Sequence, residues 1–122
     1  MADYMKLVKL DRILIGVMLM FSGSLQAQDY KNNISIVQFS AEFVKSSEIS
    51  LKQFDRHNIY TFHLEKKGDV FAKEKIKFLP TIVVYENGEE KLRIESNIRL
   101  ELPDNAADQV EAVLEEILNN KF

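Results

Sequence analysis

The sequence predicts an α/β domain whose elements run β-α-β-α-β-β-α around a mixed four-stranded central sheet. Three stretches carry that prediction. The first, Lys75 to Glu89, reads Lys-Ile-Lys-Phe-Leu-Pro-Thr-Ile-Val-Val-Tyr-Glu-Asn-Gly-Glu. Pro80 cannot donate a ladder hydrogen bond, so it belongs at the start of the strand formed by the residues after it. Ile82, Val83, Val84 and Tyr85 are apolar on both faces, as in a strand covered on both sides, and Asn87-Gly88 supplies a tight hairpin turn. The second stretch is Ile34, Ile36, Val37 and Phe39, nearly continuous in apolar character and interrupted only by Ser35 and Gln38. The third is an amphipathic helix over Ala106 to Asn119.

Taken in order, the strand after Asn33 leads through Ser40-Ala41-Glu42-Phe43 to a helix expected to start at Ser46 or Ser47. There a serine hydroxyl can cap the first free amides, and Phe43, Ser47, Leu51 and Phe54 recur at helical spacing. Asp55 to Asn58 ends it. Ile59 to Leu64 alternates weakly and predicts a strand, and Asp69 to Phe78 predicts a second helix with Val70, Phe71 and Ile76 as its apolar contacts. After the strand at Thr81, Glu90 to Glu95 forms the partner strand, with Leu92 and Ile94 alternating against Lys91, Arg93 and Glu95. Asn97 to Leu102 is either an extension of the sheet edge or a loop. Pro103-Asp104-Asn105 then caps the last helix, whose Ala106, Val110, Val113, Leu114, Ile117 and Leu118 line one face. Asp108, Glu111, Glu115 and Glu116 face water. Phe39, Phe54, Phe62, Phe71 and Phe78 are the expected aromatic filling of the core.

The chain of 122 residues is divided into two parts, a signal peptide over 1–27 and one domain over 28–122. Lys6, Lys9 and Arg12 form a positive segment, Ile13 to Phe21 a short apolar core, and Ser22 to Ala27 a small-residue region ending at the expected cleavage site. That core is shorter than the ~20 residues a membrane-spanning helix needs. Periplasmic or secreted location follows if the leader acts as such, with no stable membrane insertion after cleavage; otherwise the chain stays cytoplasmic. The formal charge is −3, and removing the leader takes away three basic and two acidic residues, which leaves −4. No positive field steers such a domain to nucleic acid. The sequence contains no cysteine. Disulfides, thiolate metal sites and thiol nucleophiles of its own are therefore excluded.

No catalytic constellation, metal site or cofactor motif emerges. His57 and His63 are the only histidines, and no acidic cluster stands near them at zinc-ligand spacing. Packing on a surface or strand face is their expected role. Ser46 and Ser47 lack the G-x-S-x-G setting of a nucleophile elbow and are read as helix caps. Gly88 has no further glycine after it at nucleotide-binding spacing and is read as a turn former. The mixed-charge runs Glu65-Lys66-Lys67 and Lys73-Glu74-Lys75 are read as solvated faces.

Two runs carry a family resemblance. Val37-Gln38-Phe39-Ser40-Ala41-Glu42-Phe43 is similar to the V-D-F-W-A-E-W run of thioredoxins, and Leu79-Pro80-Thr81-Ile82-Val83-Val84-Tyr85-Glu86-Asn87-Gly88-Glu89 is similar to their I-P-T-hydrophobic-F-x-N-G-E run. From Asn33 to Phe122 the chain resembles a divergent thioredoxin-like domain without the first strand and helix of the full fold. By that likeness Pro80 is the cis-proline facing the active-site loop. Where the family carries W-C-G-P-C, this chain reads Phe43-Val44-Lys45-Ser46-Ser47, with Val44 at the attacking position and Ser47 at the resolving one. Neither residue can form a mixed disulfide. Gln38 stands in place of the family's buried acid, Ser40 in place of its first tryptophan, and Ser96 roughly in place of a glycine beside which a partner chain passes.

The resemblance implies a redox-inactive scaffold that works by contact. The family presents extended peptides to the main chain just before the cis-proline, and the corresponding groove here would be lined by Phe43, Val44, Lys45, Leu79, Pro80 and Thr81. The occupant would be an extended segment of another protein. Two alternatives remain open. One is an oxidoreductase that relies on an external thiol such as glutathione, and the other is a degenerate paralogue with no specific ligand.

Overall fold

The computed structural model describes residues 29–121. The expected signal peptide lies outside the described residues, and so does its cleavage site. A short 3-10 turn, Asp29–Lys31, precedes strand β1, Ile34–Ser40. Strand β2 is Asn58–His63, helix α1 is Leu64–Lys73, strands β3 and β4 are Thr81–Glu86 and Glu89–Glu95, and helix α2 is Ala106–Asn120. The sheet order is β2-β1-β3-β4. β1 runs parallel to β2 and antiparallel to β3, and β4 returns antiparallel to β3, so the sheet is mixed.

All seven residues of β1 are buried, as are the first five of β3. Alternation along these strands divides the core in two. On one face Ile34, Ile36, Ile82, Val84 and Ile94 pack with Leu51, Phe54 and the Ala106, Val110, Leu114 and Ile117 stripe of α2. On the other, Val37, Phe39, Val83 and Tyr85 pack with Tyr30 and with Val70 and Phe71 of α1. Asn87 and Gly88 form the two-residue β3–β4 turn, both at positive φ (49° and 89°), the geometry an Asn-Gly pair adopts at low cost. A register shift between Val84 and Tyr85 leaves Lys91 as the extra residue on β4.

Several expectations need correction. The first predicted helix is not α-helical: two 3-10 segments, Glu42–Ser47 and Lys52–Phe54, replace it. The first begins earlier than either serine, with Ala41 at its N-cap and no side-chain cap, so Ser46 and Ser47 cap nothing there. Ser46, Ser47 and the β-branched Val44 and Ile49 are weak helix formers, and a tertiary contact described below holds the Ile49 backbone out of a helix. Helix α1 also starts five residues before the predicted Asp69, and Leu64 opens it rather than ending β2. It stops at Lys73 because Lys75 takes a left-handed conformation, φ 56°, while Ile76 N–H donates to Phe71 O and Lys75 N–H to Ala72 O, closing the end in a Schellman arrangement. Phe78, expected in the core, is 42% exposed, and Leu118 of α2 is also exposed. Asn97 to Leu102 is a loop, folded around the Asn97 side chain, whose Oδ1 accepts the Arg99 and Glu101 amides.

Glu74 lies in one of the runs read as a solvated face, yet it is buried. Tyr30 Oη donates to its Oε2, Tyr85 Oη donates to Oε1 at 3.2 Å, and Lys31 Nζ stands 2.9 Å from Oε2. Arg93 on β4 donates through Nη2 to Glu74 O at 2.8 Å and through Nη1 to Lys75 O at 3.2 Å. One residue therefore ties the N-terminal turn, β3, β4 and the end of α1 together. Burial alone raises the Glu74 pKa, but the hydrogen bonds from Tyr30 and Lys31 outweigh it and hold the carboxyl below its ordinary 4.5. Burial, reinforced by the Glu74 charge, pushes both tyrosine hydroxyls up.

A carboxyl with a lowered folded pKa contributes stability that is present above its unfolded value and is lost as pH falls through its folded one. Thermal melts of wild type should thus show Tm dropping as pH falls below about 4.5. Glu74→Gln should lower stability at pH 7 by about 1–3 kcal/mol and flatten that acid limb. An acid limb unchanged in the variant would assign the loss to other carboxylates.

Candidate functional site

The strand directions bring four connections to one end of the sheet. β1 and β2 finish there with Ser40 opposite His63, β3 begins there with Thr81 opposite Phe39, and β4 finishes with Glu95 opposite Thr81. The segments leaving this end carry Phe43 after β1, Leu64 after β2, Phe78 before β3 and Ile98 after β4. All four are exposed, Phe43 at 68% and Ile98 at 96%. Strands about 4.8 Å apart set these side chains across the width of the sheet. The Leu79–Pro80 peptide, at this same end, is cis.

Buried polar contacts hold the segments in place. Gln38, which the sequence offered only as a replacement for an acid, is almost wholly buried on β1. Its Nε2 donates to Ile49 O and its Oε1 accepts Ile49 N–H, each at 2.9 Å. That pair of bonds uses the amide and carbonyl an α-helix would have needed, which is why the segment stays extended at this point. His63 braces the same connection: Nε2 lies 2.9 Å from Glu48 Oε2 and Nδ1 lies 3.9 Å from Glu42 Oε1. Glu42 N–H donates to Glu65 Oε1 at 2.9 Å, and this backbone bond is the main cause that lowers the Glu65 pKa. On the β3 side, Thr81 Oγ1 donates to Phe78 O at 2.6 Å, and Ser96 N–H donates to Pro80 O at 3.2 Å.

The six residues predicted to line a groove do gather at this end, but in two kinds of place. Phe43 and Lys45 are exposed and Leu79 is half-buried; Val44, Pro80 and Thr81 are buried. Ser47, at the end of the 3-10 segment, is partly exposed. Among the described residues, the Leu79 amide and carbonyl have no hydrogen-bond partner. Sequence reasoning did not single out Ile98 or the His63 brace, and it assigned Phe78 to the core. An isolated apolar residue in a loop carries no signal of its exposure, and a histidine gives no sign of a glutamate 15 positions away.

The chemistry available here is limited. Both ring nitrogens of His63 face carboxylates, and the neighbouring Ser40 Oγ turns to Ala41 O at 3.5 Å, so no base activates that serine. His57 lies elsewhere, in a cleft of about 280 Å³ between the second 3-10 segment and α2. Its pKa is lowered by burial first and then by Arg56 and Lys121. Among the described residues no group of three or more His, Asp or Glu is placed to hold a metal ion, and no helix is long and apolar enough to cross a membrane.

No family model matches the chain, and no curated protein matches it. Solved structures do. The Schistosoma mansoni thioredoxin aligns with TM-score 0.57 at 17% identity, over 78% of this chain and 86% of that one. The oxidised thioredoxin of Plasmodium falciparum aligns with TM-score 0.53 at 22% identity, over 76% and 90%. The Fasciola hepatica thioredoxin aligns with TM-score 0.52 at 16% identity, over 75% and 88%. At these identities the likeness is one of fold. The domain has a thioredoxin-like α/β architecture, divergent in sequence and without a Cys-x-x-Cys motif.

Gln38→Ala should leave the Ile49 amide and carbonyl without their buried partner and cost about 1–3 kcal/mol. Hydrogen exchange is expected to lose protection at Ile49 ahead of β1 and β3. Uniform loss across the sheet would mean that Gln38 supports the whole core and not this connection.

Proposed function

We propose that this thioredoxin-like domain is a protein-binding module that captures an extended segment of another polypeptide beside Pro80, without dithiol chemistry. The observation that carries the reading is the unpaired main chain of Leu79 at the end of the sheet. A free amide and carbonyl directly before a strand can pair with the main chain of a further segment. Phe43 and Phe78 stand at the same end of the sheet, exposed aromatic side chains of a kind enriched in protein interfaces. Val44 and Ser47 occupy the positions at which the resemblance expects thiols, and neither can attack or release sulfur. The expected leader assigns the module to the periplasm or the extracellular space, where it acts after cleavage near Ala27.

Val44 is too deeply buried to serve as a surface probe, so Phe43 is the residue to change. Peptides selected from a random dodecapeptide phage library on the full chain should bind saturably in calorimetry. Phe43→Asp should weaken them about tenfold or more while altering stability by no more than about 0.5 kcal/mol. A library that yields no saturable binder would contradict the reading. In an insulin-reduction assay with dithiol donors the protein should show no turnover above buffer, and measurable turnover would favour the external-thiol alternative.

A further inference from the structure

The sheet order leaves two edges, β2 and β4, and they differ in kind. β4 is guarded by five charged residues among its seven. β2, Asn-Ile-Tyr-Thr-Phe-His, contains no Asp, Glu, Lys or Arg, and none of its six residues is fully buried. Among the described residues, β1 is the only segment that pairs with the main chain of 58–62, so the outward N–H and C=O groups of that stretch meet no protein partner. An uncharged, apolar edge of this kind is a template for a further strand. Tyr60 and Phe62 stand side by side along it, ring centroids 5.6 Å apart, both only partly buried. A hollow of about 130 Å³ lined by Leu51, Ile59, Tyr60 and Thr61 opens beside them.

We propose that β2 is a homodimerisation edge: it pairs antiparallel with β2 of a second copy, across a twofold axis through Thr61, and joins two four-stranded sheets into one. This surface is separate from the Pro80 end of β3 and does not rest on peptide capture there. The strand is complementary to itself. An antiparallel twofold pair keeps the same face of both sheets together, so the axis must pass through a residue and not between two. With Thr61 on the axis, Tyr60 of each copy faces Phe62 of the other, which gives two cross-strand aromatic pairs, and Ile59 faces His63. No Lys, Arg, Asp or Glu side chain on the strand opposes its own kind, because the strand has none. The charged β4 edge blocks further addition, so pairing closes at two copies instead of running on as a filament.

Sedimentation equilibrium on the full chain, between about 1 and 500 μM, should show monomer passing to dimer and no larger species, the behaviour of a small interface. Thr61 is exposed and its Oγ1 meets only Gln38 Nε2, at 3.5 Å, so a longer side chain fits there in the monomer. Thr61→Lys sets two ammonium groups face to face across the axis and should weaken the dimer about tenfold or more. Thr61→Glu should do the same. Mixing the two variants in equal amounts should restore association, a rescue that a folding defect could not give. A chain that stays monomeric throughout would overturn the proposal. So would association that survives both substitutions, since the contact would then lie elsewhere, such as in the 28 residues before Asp29. A mixture that fails to associate, or assembly beyond two copies, would overturn it as well.

Discussion

Two strands buried on both faces are the constraint from which the rest of this domain follows. β1 and β3 sit at the centre of the sheet and expose almost no side chain, so each face must be covered for the sheet to persist in water. Helix α2 and the 3-10 connection cover one face, and α1 with the Tyr30 turn covers the other. With only 93 described residues to do this, few elements are spare. The edge strand β4 solves a different problem. Five of its seven residues are charged, which discourages another chain from adding to that edge.

Polar groups inside this apolar frame act as fasteners rather than as chemistry. Glu74 draws Tyr30, Lys31 and Tyr85 to one carboxylate and, through its carbonyl, meets Arg93 of β4. Gln38 does the same on the opposite face with the Ile49 backbone. Each of these contacts fixes a segment that has little regular structure of its own. The Glu74 cluster sets the end of α1, from which the chain runs to Leu79 and Pro80, and Gln38 with His63 sets the connection that carries Phe43. The candidate site is thus held from both sides of the sheet.

A scaffold without cysteine keeps a thioredoxin-like fold, which packing and hydrogen bonds hold without any thiol. The cis-proline end of the sheet and its exposed aromatic residues depend only on shape and hydrogen bonding. Reactivity would require a nucleophile of depressed pKa or an aligned base, and the one histidine at this end is already engaged by carboxylates.

The sequence by itself determined the strands and the last helix, because their signals are local: unbroken apolar runs at Ile34 and Ile82, a proline at a strand start, an Asn-Gly turn and a 3.6-residue stripe from Ala106. It also determined that the domain has no thiol chemistry of its own, since composition alone decides that. Only the tertiary structure decided where the first helical connection and α1 begin, that Phe78 faces solvent, and that Glu74 is buried. These outcomes depend on partners far along the chain: Gln38 on Ile49, Glu74 on Tyr30 and Tyr85. Such contacts leave no periodic trace, because a hydrogen bond between distant residues costs and returns energy only once the sheet has brought them together.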